Sequence, residues 1–249
     1  MLNLSVGMGG AADAATVLAS IKKMQSSQEY QLEARRAEWL EKRRGRFTAS
    51  NFGKIMAGSK TASTYIAKVT AELLSKSTEE NFKSRPMQWG IDHEAEAVKR
   101  FSEIYGFSPY MTGNEQELIL SECGSFAGTP DGLIDDDLGL KIAGNDLGLE
   151  IKCPNQGTHL SYFQILNQSD LKTLKPEYYW QCYGYMLLTG RSSWYFISYD
   201  PRFDEEKLQL HSVLIKAEQS ELDLLRAKLD GAIKERDRLL EFAHRKLAA

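Results

Sequence analysis

No apolar run in this sequence approaches the roughly 18 residues a membrane-spanning helix needs. The N-terminal segment MLNLSVGMGGAADAATVLAS carries no basic stretch ahead of its apolar residues and makes a poor secretory signal. Cysteine is scarce: three residues, an odd number at wide spacing, argue against a disulfide framework and for a reducing cytoplasm. Cys123, Cys153 and Cys182 with His93, His159 and His211 show no C-x-x-C or H-x-x-x-H spacing, which favours single buried cysteines over a zinc site. A basic excess is missing too. The net charge is −3, whereas phosphate neutralisation dominates the affinity of duplex-binding proteins. Any binding of that kind must use a local concentration, and Glu41–Phe47 (EKRRGRF) is the densest; composition alone reads it as a solvated helix end. The acidic loop Asp135–Asp146 lacks the ligand order of an EF-hand and reads as a hairpin insertion. No internal repeat is present.

Present instead is core material, with 42% hydrophobic and 10% aromatic residues across 249 positions. That suits one domain over 28–249, preceded by an Ala-, Gly- and Ser-rich arm over 1–27. Helical composition runs from Ser27 to Arg44, where Gly45 interrupts it, and Thr48 or Ser50 is placed to cap the next helix. Further helices are expected over Ala62–Lys76 and Asp92–Tyr105, the latter with Ala95, Val98, Phe101 and Ile104 as its apolar set and Gly106 as its stop. Strands are expected over Ser125–Asp135, Gly148–Cys153, Ser193–Tyr199 and Leu208–Ile215, the last with Leu208, Leu210, Ser212 and Leu214 on one face. Tyr178–Leu188 reads as a crossover helix. Glu218–Leu247 reads as a long helix whose stripe of Leu222, Leu225, Leu229 and Ile233 packs within the chain, since the period fails at Arg236. The fold class is α/β or α+β, with a central mixed sheet flanked by helices.

The chemistry concentrates in Thr129-Pro130-Asp131-Gly132 and Glu150-Ile151-Lys152. Alternate residues of a strand share a face, so Glu150 and Lys152 point together while Ile151 points into packing. Two acids and a lysine converging on a strand pair are costly unless they pair or bind metal. For phosphodiester hydrolysis the set makes sense: carboxylates hold magnesium, and a lysine orients or deprotonates the attacking water. With 26% charged residues, the spacing alone recurs easily. The plain alternative is an exposed turn aspartate and an edge-strand pair. Pro130 before Asp131, and the hydrophobic flanks of the charges within Gly148–Pro154, count against it.

These residues resemble the PD-(D/E)XK nucleases, and their surroundings resemble one branch, the phage lambda exonuclease or YqaJ-like viral recombinase family. Four blocks in order carry the likeness: Trp39, Arg43 and Gly45 running into Thr48-Ala49-Ser50; Trp89-Gly90 with Glu94; the Thr129–Gly132 and Glu150–Pro154 pair; and Gln181 followed by Trp194-Tyr195-Phe196 and Tyr199-Asp200-Pro201-Arg202. The resemblance implies that Asp131, Glu150 and the Ile151 carbonyl bind metal, two magnesium ions for which manganese can substitute. It implies that Lys152 assists the attacking water, that Glu94 completes the acidic cluster, and that Gln181 supports the nucleophile. Arg43 and Ser50 would grip a 5′-phosphate, with Arg44 and Arg46 as competitors. A charged fork and a hydroxyl near a helix start suit that task. Without the family, Glu94 is one of several helical glutamates, and the aromatics Tyr178, Tyr179, Trp180 and Tyr183 around Gln181 are core. The implied activity is 5′→3′ exonuclease action on double-stranded DNA ends by a trimeric ring, beside a single-strand annealing protein, in the host cytoplasm if phage or prophage encoded. An endonuclease of the same fold and a non-catalytic DNA-binding assembly protein are the alternatives.

Overall fold

A computed structural model describes residues 34–76, 85–135 and 146–247. The expected arm, 1–27, lies outside them, as does most of the acidic loop. The chain divides after Lys42. Residues 34–43 are helical (α1), with Lys42 paired to Glu38 one turn back at 2.8 Å.

The second unit runs β1 (Phe47–Thr48), α2 (Phe52–Met56), α3 (Ser59–Leu74), α4 (Arg85–Tyr105), β2 (Ile119–Leu120), β3 (Phe126–Gly128), β4 (Gly132–Ile134) and β5 (Leu147–Lys152). There follow α5 (Gln156–Tyr162), α6 (Gln168–Leu174), α7 (Pro176–Thr189), β6 (Ser193–Tyr199), α8 (Glu206–Gln209), β7 (Leu210–Lys216) and α9 (Gln219–Leu247). Single 3-10 turns occupy Ala49–Asn51 and Gly113–Glu115.

The larger sheet has the order β4-β5-β6-β7. Its outer pairs are antiparallel and β5–β6 is parallel. A parallel pair needs a long crossover connection, and α5, α6 and α7 supply it. Because helices cover both faces, β5 and β6 are apolar nearly throughout, as doubly covered strands must be. On one face Trp194, Phe196, Val213 and Ile215 pack with α7 and with Leu225 and Leu229 of α9. On the other, Ala97 and Phe101 of α4 meet Leu149, Ile151 and Ile197. Each fully buried leucine on α9 contributes about 1.5–3 kcal/mol. The expected mixed sheet between helices is the architecture found, and α9 packs within the chain as its stripe implies.

The structure corrects four local expectations. The strand expected over Ser125–Asp135 is two strands in two sheets, since Pro130 has no N–H to give a ladder. β3 belongs instead to a small sheet, β1-β3-β2, whose strands of two or three residues leave too little pattern to read. In β7 the core face is Val213 and Ile215, not the Leu208–Leu214 set. Val213 and Ile215 stand opposite Phe196 and Trp194, whereas Leu214 is 36% exposed and Leu208 lies in α8. On α4 the inward stripe is Glu94, Ala97, Val98 and Phe101, while Ala95 and Ile104 are exposed. Thr48 makes no capping bond to a helix; its Oγ1 accepts from Asn51 Nδ2 at 2.9 Å.

Two backbone positions matter downstream. Gly45, at φ +69°, turns the basic run across α3, and a Cβ there would lie 2.1 Å from Leu73. Gly148 lies beneath the fully buried Trp194, its register partner, and a Cβ would stand 2.2 Å from the indole. Among the described residues no helix is long and apolar enough to cross a membrane.

Two histidines tie stability to pH. His159 is fully buried, with Nδ1 2.6 Å from Ser198 Oγ and Nε2 2.8 Å from the Leu208 carbonyl. A carbonyl only accepts, so Nε2 carries a proton, and the Ser198 hydroxyl can donate to Nδ1 of the neutral ring. His211 Nε2 likewise bonds the Ile165 carbonyl at 2.8 Å. Burial holds both pKa values below the ordinary histidine value. A depressed folded-state pKa gives stability that is complete above the unfolded value, about 6.5, and is lost as pH falls from there through the folded values. We expect urea unfolding to show stability falling between pH 7.5 and 5.5, with a shallower fall in His159→Gln. A wild-type curve flat across that window would refute this account.

Candidate active site

The chain crosses from the small sheet to the large one through Thr129-Pro130-Asp131. Asp131 donates its N–H to the Leu149 carbonyl at 3.2 Å, and its Oδ2 accepts from the Ile151 N–H at 2.7 Å. The carboxylate thus takes the place of a ladder bond and is fastened to β5 beside Glu150. Strand alternation sends Ile151 into the core, 6% exposed, and sends Glu150 and Lys152 the other way. Glu150 is only 1% exposed, and its Oε1 pairs with the Lys152 ammonium. Its Oε2 finds no hydrogen-bond partner among the described residues. Lys152, 29% exposed, lies 5.1 Å from the centre of the Tyr178 ring.

Glu94 arrives from α4. Its Oε1 accepts from Gln116 Nε2 at 2.5 Å, and the same nitrogen lies 3.4 Å from Asp131 Oδ1. Glu96 and Glu103 on the same helix are exposed. Burial, then the charge of Glu150, raises the Glu94 pKa. Burial, then Glu150 and Glu94, lifts that of Asp131 well above the carboxylate range. Burial opposes the Lys152 charge, yet Glu150 and Asp131 carry its pKa above the ordinary lysine value. Cys153 is pushed up to about 12 by burial and by Glu94 and Asp131. Gln181 is buried on α7 and donates Nε2 to Tyr185 Oη at 2.9 Å, which in turn donates to the Thr129 carbonyl at 2.9 Å. Tyr185 therefore joins Gln181 to the turn that carries Asp131.

Two of the three arginine candidates bond backbone carbonyls. Arg44 Nε donates to the Glu72 carbonyl at 2.8 Å and Nη2 to the Ser75 carbonyl, capping the end of α3. Arg46 Nε donates to the Gly124 carbonyl at 2.9 Å. Burial lowers the Arg43 pKa, while the charges of Tyr185, Tyr65 and Glu72 act to raise it. Ser50 Oγ lies 3.5 Å from Thr48 Oγ1, and Tyr65 Oη accepts the Thr48 N–H at 3.1 Å. Beyond the site, Arg191 pairs with both Asp135 at 2.5 Å and Asp146 at 2.7 Å.

An oxygen-only donor set with an unpartnered buried carboxylate oxygen fits a hard divalent cation. Among the described residues no three His, Cys, Asp or Glu side chains stand close enough together to hold a metal ion. A cation held by two carboxylates keeps several waters, which is the manner of magnesium. Gln116 and Tyr185 escaped the sequence reading. Tyr185 had a signal, the i,i+4 spacing from Gln181 on a helix; Gln116, in an irregular loop, had none.

No curated protein matches the sequence. The alkaline exonuclease LHK-Exo from Laribacter hongkongensis is 27% identical, with a TM-score of 0.72 over 85% of this chain and 98% of that one. A second structure of LHK-Exo, in complex with dAMP, matches over the same shares at 27% identity and a TM-score of 0.71. A phage-related exonuclease from Haemophilus somnus 129PT, at 15% identity and a TM-score of 0.62 over 80% of this chain and 96% of that one, shares the fold. The YqaJ-like viral recombinase domain model matches residues 38–192. With that match spanning more than half its length, and with an alkaline-exonuclease fold, the chain belongs to the YqaJ-like viral recombinase family of phage-type exonucleases.

Proposed function

We propose that this protein is a magnesium-dependent exonuclease that degrades one strand of duplex DNA in the 5′→3′ direction from its ends. Asp131 and Glu150, with the Ile151 carbonyl, hold the metal, two ions in the full site, and manganese substitutes. Bound there, a cation would supply charge stabilisation to the attacking and leaving oxygens of the phosphodiester. Lys152 steers the attacking water, Glu94 completes the acidic set, and the Gln181 amide, oriented by Tyr185, supports the same water. Arg43 and Ser50 grip the 5′-phosphate. A trimeric ring, a single-strand annealing partner and a place in the host cytoplasm follow from the family resemblance. The dAMP bound by LHK-Exo is a deoxynucleoside monophosphate, the product class expected of stepwise digestion.

The end-directed reading is supported by the match to the YqaJ-like viral recombinase domain over residues 38–192, which takes in the basic run around Arg43. A guanidinium gripping the 5′-phosphate makes a charge-assisted contact available only at a phosphorylated end. Arg43→Ala is expected to slow digestion of 5′-phosphorylated linear duplex by roughly 10- to 100-fold, the scale of one charged hydrogen bond of about 1.5–3 kcal/mol. Digestion of matched 5′-hydroxyl duplex should change much less. A variant that kept the wild-type preference for the phosphate would remove Arg43 from the role. Nicking of closed circular duplex by the wild type would favour the endonuclease reading.

A further inference from the structure

Glu94 and Asp131 come to the site on separate elements, a helix and a turn, and no ladder or helix bond sets the distance between them. The side chain of Gln116 reaches both. Its Nε2 lies 2.5 Å from Glu94 Oε1 and 3.4 Å from Asp131 Oδ1, and one amide nitrogen has two hydrogens to give. Gln116 follows the 3-10 turn Gly113–Glu115, which is closed by Glu115 N–H to the Thr112 carbonyl at 3.0 Å and Gln116 N–H to the Gly113 carbonyl at 3.4 Å. The chemistry of the residue type suits the place. A lysine would neutralise an acid and compete with an incoming cation, and a glutamate would add repulsion. A neutral amide satisfies carboxylate oxygens while leaving their charge for metal.

We propose that Gln116 is a positioning residue of the active site, holding Glu94 beside Asp131 so that the acidic set is assembled before a divalent cation arrives. This rests on the metal-dependent reading above. Partners that orient metal-binding groups are commonly worth 10- to 100-fold in metal affinity. The test is calorimetric titration of Mn2+ into the metal-free full-length protein, without DNA. Wild type is compared with Gln116→Ala, with Gln116→Met (similar in volume, with no donor), with Glu94→Ala and with the Glu94→Ala/Gln116→Ala double variant. Both Gln116 variants should bind Mn2+ about tenfold more weakly, at the lower end of that range. The double variant should bind no more weakly than Glu94→Ala, because Gln116 acts through Glu94. The KM for linear duplex should be unchanged at saturating Mn2+. Wild-type affinity in Gln116→Met, or losses that add in the double variant, would overturn the proposal while leaving the metal reading intact. Absence of Mn2+ binding by wild type, or undiminished binding by Asp131→Asn, would instead overturn the metal reading and this proposal with it.

Discussion

Asp131→Asn and Glu150→Gln should each lower cleavage of linear duplex by about 10³-fold or more at saturating magnesium, because a lost charge of the metal-holding set is lost from the transition state. Their folds should survive. Glu150 is a nearly fully buried carboxylate with an unpartnered oxygen, and Asp131 stands in the fields of Glu150 and Glu94. Removing the Asp131 charge relieves repulsion between like groups, whereas Glu150→Gln also takes away the partner of the Lys152 ammonium. The melting temperature of Asp131→Asn in EDTA should therefore hold or rise. Asparagine is the informative choice at 131, since its amide oxygen can still accept from the Ile151 N–H. Asp131→Ala strands that donor at a cost of about 1–3 kcal/mol, which works against the relief. Near-normal turnover in Asp131→Asn or Glu150→Gln would remove these residues from the catalytic centre.

Lys152→Ala should divide function and stability differently. Turnover should fall by roughly two or more orders of magnitude, the scale of a positioned proton-transfer or electrostatic group, while DNA binding stays near wild type. Without metal the variant should also be destabilised, by about 3 kcal/mol, because Glu150 loses the cation paired with its Oε1 and becomes a buried, uncompensated charge. Magnesium should recover part of that loss. Single-turnover kinetics, duplex binding and melting with and without magnesium separate these effects. Equal losses of cleavage and of duplex binding would make Lys152 a phosphate contact.

Asp131, Glu150 and Lys152 were legible in the sequence because their placement depends only on a proline turn and on the two-residue period of a strand, both local. Their roles remain a proposal that the variants above test. Glu94 was harder. Of the stripe read from apolar residues alone, 95-98-101-104, Val98 and Phe101 pack inward while Ala95 and Ile104 are exposed, and Glu94 and Ala97 complete the inward face. A helix whose inward face begins with a glutamate hides that position from a reading of apolar residues. Arg43 could not be told from Arg44 and Arg46, since the direction of each depends on the left-handed turn at Gly45 and on which carbonyls of α3 and of the Ser121–Gly124 turn stand nearby. Gln116 lies in a loop without periodicity, and its partners are 22 and 15 residues away. The fold class was readable from the alternation of apolar strands with helical stretches. The small sheet and the choice of face in β7 were not, because both are settled by partners distant in sequence.

Gly148 has a consequence beyond packing. The indole of Trp194 occupies the space a side chain at 148 would need, and only glycine can lie opposite it on β5. Moving β5 by one residue would push Leu147 or Leu149 under the indole, so the misaligned pairing collides at once. That same slip would turn Ile151 outward and drive Glu150 and Lys152 into the opposite layer of the molecule. The contact of Gly148 with the indole therefore fixes, along with the packing, which side of the sheet carries the charged pair, and a methyl group at 148 would remove the fit on which that choice depends.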